Sequence, residues 1–175
     1  MRDHPLWVDF LFRLTGMGKP DHLADWLGRI PLLEGLPRRH RRHLGRMLHR
    51  RSYDALEPVF RQGDIGSGMY FVFQGQVRIV SEEDNRGEIQ LAVLEEGECF
   101  GELSLLDHAP RSASAMAAEP TVLYGLFEGD LDQLERTRPQ VAIRILRNIG
   151  LSTALRLRQT NDRLRELEES PRIPV

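Results

Sequence analysis

EPVFRQGDIGSGMYFVFQGQVRI, residues 57–79, is the stretch that decides the fold class. Its apolar runs are short and rich in aromatic and β-branched residues. Gln62-Gly63-Asp64, Gly66-Ser67-Gly68 and Gln74-Gly75 interrupt them at close intervals. That rhythm suits strands and turns rather than helices. Met69–Phe73 and Val77–Val80 are predicted strands, and Gln74-Gly75 between them predicts a two-residue hairpin, because glycine tolerates the positive φ of such turns. The same rhythm continues downstream, with Ile89–Leu94 and Thr121–Phe127 as further strands. Asp84-Asn85-Arg86-Gly87, Glu96-Gly97 and Glu119-Pro120 separate them. Across residues 52–127 the pattern predicts an all-β sandwich or barrel.

Outside this zone the period is helical. Leu6–Leu14 crowd a first short predicted helix that ends near Gly16-Met17-Gly18, and Leu23, Trp26, Leu27 and Ile30 recur at three and four within a second over Asp21–Ile30. Pro37 opens a third helix that runs to about Met47. After the β zone a short helix is predicted over Asp130–Arg136, and Pro139 begins a long one. There Leu146, Gly150, Thr153, Leu157, Thr160, Leu164 and Leu167 make a heptad-like seam, weakened at the glycine and the two threonines. The seam predicts pairing of two helices rather than a strong autonomous coiled coil. Glu166, Glu168 and Glu169, then Pro171 and Pro174, mark its end.

The 175 residues suffice for one domain with a substantial core, and 41% hydrophobic with 29% charged residues is ordinary for a globular chain. No apolar run approaches the roughly 20 residues of a membrane span, and the N-terminus, with Asp3 and Asp9, is a poor signal peptide. A lone cysteine, Cys99, cannot close an internal disulfide, which fits a reducing cytoplasm. The net charge of −2 hides an asymmetry: residues 1–51 hold eleven Arg/Lys against five Asp/Glu, whereas residues 52–175 hold thirteen against twenty-one.

Residues 97–116 carry the chemistry. Phe100 precedes Gly101-Glu102-Leu103-Ser104-Leu105-Leu106, read as a strand end, a glycine and one or two helical turns. Gly101 has no Cβ to bar a ligand from the backbone, and the start of the short helix leaves N–H groups free for an anion. Arg111, behind Pro110, can grip a phosphate through two parallel hydrogen bonds, with the Ser112 hydroxyl beside it. Glu102 would repel a bare phosphate but makes sense if the ligand also presents a hydroxyl, as a ribose does. Together these residues describe a ribose-phosphate cradle, with a Glu102–Arg111 pair in a ligand-free roll as the alternative.

The stretch resembles the phosphate-binding cassette of cyclic-nucleotide-binding domains, the family of catabolite activator proteins, protein kinase A regulatory subunits and cyclic-nucleotide-gated channels. The match lies at Phe100, Gly101, Glu102, Leu103, Ser104, Leu105, Pro110, Arg111, Ser112 and Ala113. Residues 57–79 look like the family's strand–glycine–strand signature, and IPLLEGLPRRHRRHLGRMLH at 30–49 resembles the helix before its β-roll. The resemblance implies a mainly β α+β chain: an eight-stranded β-roll or jelly roll flanked by N-terminal helices and a long C-terminal helix. It implies an N-terminal helical extension over 1–29, the roll with its leading helix over 30–130, hinge and long helices over 131–170, and a tail over 171–175. By the same resemblance Glu102 binds the ribose 2′-hydroxyl and Arg111 the cyclic phosphate. Gly101, Leu103 and Ser104 contribute mainly backbone groups, Ala113 belongs to the motif, and Ser112 meets the phosphate or a base edge. An ungapped register through Pro139 brings Arg156 near the base-contacting position, to stack on a purine or donate to it, or to stand solvated on its helix.

The function this implies is a bacterial receptor, not an enzyme, that takes cAMP ahead of cGMP as its ligand and uses no cofactor or metal. It would signal through its C-terminal helix to a partner protein or a second copy. Family transcription factors continue into a winged helix-turn-helix; with Val175 so soon after Glu169, a DNA-reading domain and DNA binding are not expected. The alternative is a ligand-free scaffold that docks a partner through its N-terminal helices, including Trp7 and Trp26, or through RRHRRHLGRMLHRR at 38–51. That segment packs seven arginines and three histidines into fourteen positions and also reads as the solvated face of an amphipathic helix. His4, His22 and His108 are scattered, which argues against a metal-dependent β-roll enzyme. Cys99 without a histidine partner reads as a core residue.

Overall fold

Two four-stranded antiparallel sheets face one another in the computed structural model, which describes residues 20–83 and 87–169. The expected helix over Leu6–Leu14, with Trp7, lies outside them. Helix α1 (Pro20–Trp26) leads through 3-10 turns at Leu27–Arg29 and Pro31–Leu33 into α2 (Arg38–Met47). The strands are β1 (His49–Tyr53), β2 (Pro58–Phe60), β3 (Gly68–Gln74), β4 (Val77–Glu83), β5 (Gly87–Leu94), β6 (Cys99–Phe100), β7 (Ser114–Ala117) and β8 (Thr121–Phe127). Helix α3 (Ser104–Asp107) interrupts them, and α4 (Glu128–Thr137) and α5 (Pro139–Glu169) follow. One sheet runs β1-β8-β3-β6 and the other β2-β7-β4-β5. This is the mainly β roll flanked by helices that the sequence predicts.

Strand β3 explains why residues 69–73 are continuously apolar: both of its faces are buried. Met69, Phe71 and Phe73 point to the core shared with the helices, whereas Tyr70 and Val72 point between the sheets. Strand β8 pairs beside it from Gly68↔Phe127 to Gln74↔Val122, and divides in the same way, with Val122, Tyr124 and Leu126 toward the helices and Leu123 between the sheets. The alternation is the two-residue side-chain period of a strand. On the helical side α5 contributes Val141, Ala142, Ile145 and Ile149, at the spacings of one helix face. Asn148 ties that face to the N-terminal segment by donating to the carbonyls of Leu32 and Glu34, at 2.8 and 3.1 Å.

Three local expectations are corrected. Gln74-Gly75 does not close a hairpin, because β3 and β4 lie in different sheets. Gly75, at φ +86, turns the chain from one sheet to the other, and a Cβ there would stand 2.6 Å from Thr121 Oγ1 and 2.8 Å from Pro120 O. The hairpin is instead β4–β5, in register from Val77↔Leu94 to Glu83↔Gly87. The third helix ends at Met47 as expected, but the rest of the basic segment 38–51 does not continue it: Leu48 turns extended (φ −65, ψ 138) after its N–H bonds Leu44 O, and His49–Tyr53 pair with β8. Trp26 is no docking residue; it is buried against Phe73, with ring centroids 4.9 Å apart edge to face, and leans on Tyr124.

The basic helix is partly neutralised from within the chain. Arg38 Nε donates to Asp25 and Arg42 Nε to Asp21, each at 2.7 Å. The seam of α5 is split: Leu146 packs against the core, while Leu157 and Leu164 are exposed. The hydroxyls of Thr153 and Thr160 donate back to the carbonyls of Ile149 and Arg156 on their own helix, the usual way such residues satisfy themselves within a helix. Among the described residues no helix is long and apolar enough to cross a membrane.

Candidate functional site

Arg111 is placed by its backbone before its side chain is considered. Its N–H donates to Asp64 O at 2.8 Å and its carbonyl accepts from Gly63 N at 2.9 Å. Asp64 in turn folds its own loop by accepting from Arg61 N through Oδ2 at 2.7 Å. Next to this, Pro110 bridges Ile65. The Gln62-Gly63-Asp64 turn of the opening stretch is therefore the clamp on the arginine loop.

The Arg111 side chain is 8% exposed. Nη1 donates to Gly101 O and to Ser104 Oγ, both at 2.9 Å, and Nη2 donates to Gly68 O at 2.7 Å. The guanidinium lies 4.1 Å over the centre of the Phe60 ring, in reach of its π face. Of the five N–H donors of an arginine, these bonds leave Nε–H, which is buried without a partner, and a second proton on Nη2. Nε and Nη2 form one edge of the guanidinium, the edge that grips an anion bidentately. Burial pulls the pKa of the group downward, yet an arginine keeps its charge in a protein. The result is a buried cation whose partners are carbonyls, a hydroxyl and a ring.

Gly101 makes this arrangement possible. It sits at φ +75, and a Cβ there would stand 2.6 Å from Arg111 Nη1. The chain then enters α3, where Leu105 N and Leu106 N bond the carbonyls of Glu102 and Leu103. The N–H groups of Leu103 and Ser104 come before any intrahelical acceptor exists. Glu102 is 4% exposed and does not pair with Arg111. Its Oε1 accepts from Arg156 Nη1 on α5, 3.0 Å away and 54 residues along the chain.

These groups face one cavity of about 450 Å³, within the range of small-molecule sites. Every sequence-predicted site residue lines it: Gly101, Glu102, Leu103, Ser104, Arg111, Ser112 and Ala113 from the cassette, and Arg156 from α5. Strand β5 adds an apolar wall through Leu91, Ala92 and Leu94. Sequence reasoning missed Phe60 and the Gly68 carbonyl as supports of Arg111. Cys99 also lines the cavity, and burial, followed by the nearby Glu102 carboxylate, pushes its thiol up to about 12, so it remains a protonated wall residue. Among the described residues no cluster of His, Cys, Asp or Glu is suited to a metal ion.

A roll of eight strands with a buried cation and a buried carboxylate facing the same cavity is a small-molecule-binding β-roll. The comparisons narrow that class: the model of the cyclic nucleotide-binding domain family matches residues 50–138, and the chain belongs to that family. It is 44% identical over 112 residues to the cyclic AMP receptor protein of Thermus thermophilus, spanning 64% of this chain and 50% of that protein. It is 38% identical over 93 residues to the type II regulatory subunit of cAMP-dependent protein kinase from Drosophila melanogaster, spanning 53% and 24%. The crystal structure of the Thermus thermophilus catabolite activator protein superposes with a TM-score of 0.72 at 38% identity, covering 79% of this chain and 63% of that one. The N-terminal domain of a Streptomyces coelicolor transcriptional regulator superposes with a TM-score of 0.68 at 34% identity, covering 78% and 95%. The chain thus spans half or less of the length of these two curated relatives.

Proposed function

We propose that the chain is a cyclic-nucleotide receptor, taking cAMP ahead of cGMP, that acts as a regulator rather than an enzyme. The observation that carries this reading is Arg111: a buried guanidinium with Nε–H unclaimed, on a residue that lines the same cavity as Glu102. In this reading Arg111 grips the cyclic phosphate through Nε and Nη2, and the N–H groups of Leu103 and Ser104 add donors. Glu102 accepts from the ribose 2′-hydroxyl. Gly101 and Ala113 let the ligand approach closely, and Ser112, exposed at the rim, meets the phosphate or an edge of the base. The name of the Thermus relative, a cyclic AMP receptor protein, supports cAMP as the first ligand to test.

The roll and its leading helix, 30–130, form the receiving part, and the helices of 131–170 the output. The ligand stabilises one position of α5, and only a difference in affinity between two positions can drive such a switch. The exposed Leu157 and Leu164, seven residues apart on one face of α5, offer an apolar surface for a partner protein or a second copy. A cytoplasmic location accords with the single free cysteine, Cys99.

Thermal unfolding of the chain in millimolar nucleotide tests the reading. A ligand that binds only the folded state raises the midpoint, by about 2.7 kcal/mol of stability at a hundred times its dissociation constant. cAMP or cGMP should produce such a rise; a midpoint unmoved by both would refute the receptor reading.

A further inference from the structure

A regular strand could not turn both Val59 and Phe60 toward the core between the sheets, since successive side chains point to opposite faces. Strand β2 packs both of them there. It pairs with β7 at Pro58↔Met116 and Phe60↔Ala115, so it holds one residue more than β7 between the two pairs. Such a bulge re-aims a side chain. The ring it turns inward is held by two others: its centroid lies 6.2 Å from that of Tyr70 and 5.8 Å from that of Phe100, and these two stack on each other at 5.5 Å.

Over the Phe60 ring, at 4.1 Å, sits the guanidinium carbon of Arg111. Hydrogen bonds to Gly101, Ser104 and Gly68 hold Nη1 and Nη2, and none of these acceptors is a carboxylate. Burial disfavours the charged form of Arg111, while the neighbouring Tyr70, Asp64 and Glu102 favour it. The negative face of an aromatic ring attracts a cation, and most strongly where water is excluded. Ring and cation line the same cavity.

We propose that Phe60 is a positioning residue for phosphate recognition: the negative face of its ring holds the Arg111 guanidinium ready for the anion, and the bulge in β2 puts the ring there. This rests on the cyclic-nucleotide reading. It makes the charge distribution of the ring, rather than its bulk, the property the site uses. A guanidinium already fixed loses little freedom when the ligand arrives, so the contact adds affinity through the arginine.

The test measures affinity of the full chain for cAMP or cGMP, whichever binds tighter. Wild type is compared with Phe60→Leu, Arg111→Ala, the Phe60→Leu/Arg111→Ala double variant, and chains carrying increasingly fluorinated phenylalanine at position 60. Fluorination nearly keeps the shape of the ring while weakening its negative face. Phe60→Leu should weaken binding about ten-fold, within the range of a desolvated cation–π contact, and less than about two-fold once residue 111 is alanine. Affinity should fall step by step with fluorination. Affinity that ignores the fluorines, or a Phe60→Leu loss as large without Arg111 as with it, would overturn the proposal while leaving the receptor reading intact, because the ring would then act by packing alone. Affinity that rises with fluorination would overturn it too, since the ring would be competing with the phosphate for the cation. A wild type that binds neither nucleotide overturns the reading and the inference together. Thermal midpoints show which variants are folded, and the fluorinated chains carry the test if Phe60→Leu is not.

Discussion

At the scale of single residues, the site turns on a difference between two charges. Glu102 has its cation in Arg156, whereas Arg111 is surrounded by the carbonyls of Gly101 and Gly68, the Ser104 hydroxyl and the Phe60 ring. An anion reaching the free edge of Arg111 gains charge-assisted bonds worth about 1.5–3 kcal/mol each, while the exposed Ser112 has only a neutral hydroxyl to offer. Arg111→Ala should therefore weaken cAMP binding on the order of a hundred-fold or more and Ser112→Ala by less than about five-fold, both read by competition with a fluorescent cyclic nucleotide. Equal, small effects would mean that the phosphate sits elsewhere. Glu102, Arg111 and their neighbours were legible in the sequence because the chemistry lies in one contiguous stretch, 100–113, whose residue types are otherwise hard to reconcile. Phe60 and the Gly68 carbonyl were not, since they reach Arg111 through the pairing of β2 with β7 and of β3 with β6, which spacing along the chain does not encode. The sequence places Arg156 near the ligand, but its hold on the carboxylate depends on α5 passing Glu102, 54 residues away along the chain.

At the scale of elements, the long apolar strands β3 and β8 were plain from the sequence, with Thr121–Phe127 matching β8 end to end. The short polar ones were not: β1 is His-Arg-Arg-Ser-Tyr, an edge strand next to β8 whose charges suit an edge and read as a helix face. Ahead of β1, α2 carries a pH dependence. Burial lowers the pKa of His40, with Arg39 and Arg138 adding to it, and burial lowers that of His43, with Arg138, Arg46 and His40 adding to it. Both folded values lie below the ordinary 6.5, so below that pH the unfolded chain binds more protons and stability falls with falling pH. The contribution is complete above about pH 6.5 and is lost as pH drops through the folded values. Thermal midpoints should decline between pH 7 and pH 5.5, and a His40→Gln/His43→Gln variant should decline less steeply. An unchanged slope in the variant would assign the decline to other groups.

At the scale of the molecule, two cores share one sheet. Tyr70, Val72, Phe100 and Leu123 fill the space between the sheets, and on the far side of β3 and β8 the N-terminal segment, α4 and the first part of α5 bury the other core. The cavity opens off the roll, and α5 runs from the helical core to the cavity's rim, where Arg156 meets Glu102. In the proposed function the ligand and the helix address the same carboxylate, which would connect binding to helix position. Helix α5 spans 31 residues, about 46 Å at 1.5 Å per residue, and beyond Leu151 it presents exposed leucines. The central claim is that this cavity receives a cyclic nucleotide, and titration calorimetry with cAMP and cGMP tests it most directly. The account predicts saturable binding of one nucleotide per chain, with cAMP the tighter; heats indistinguishable from dilution for both nucleotides at high micromolar concentration would contradict it.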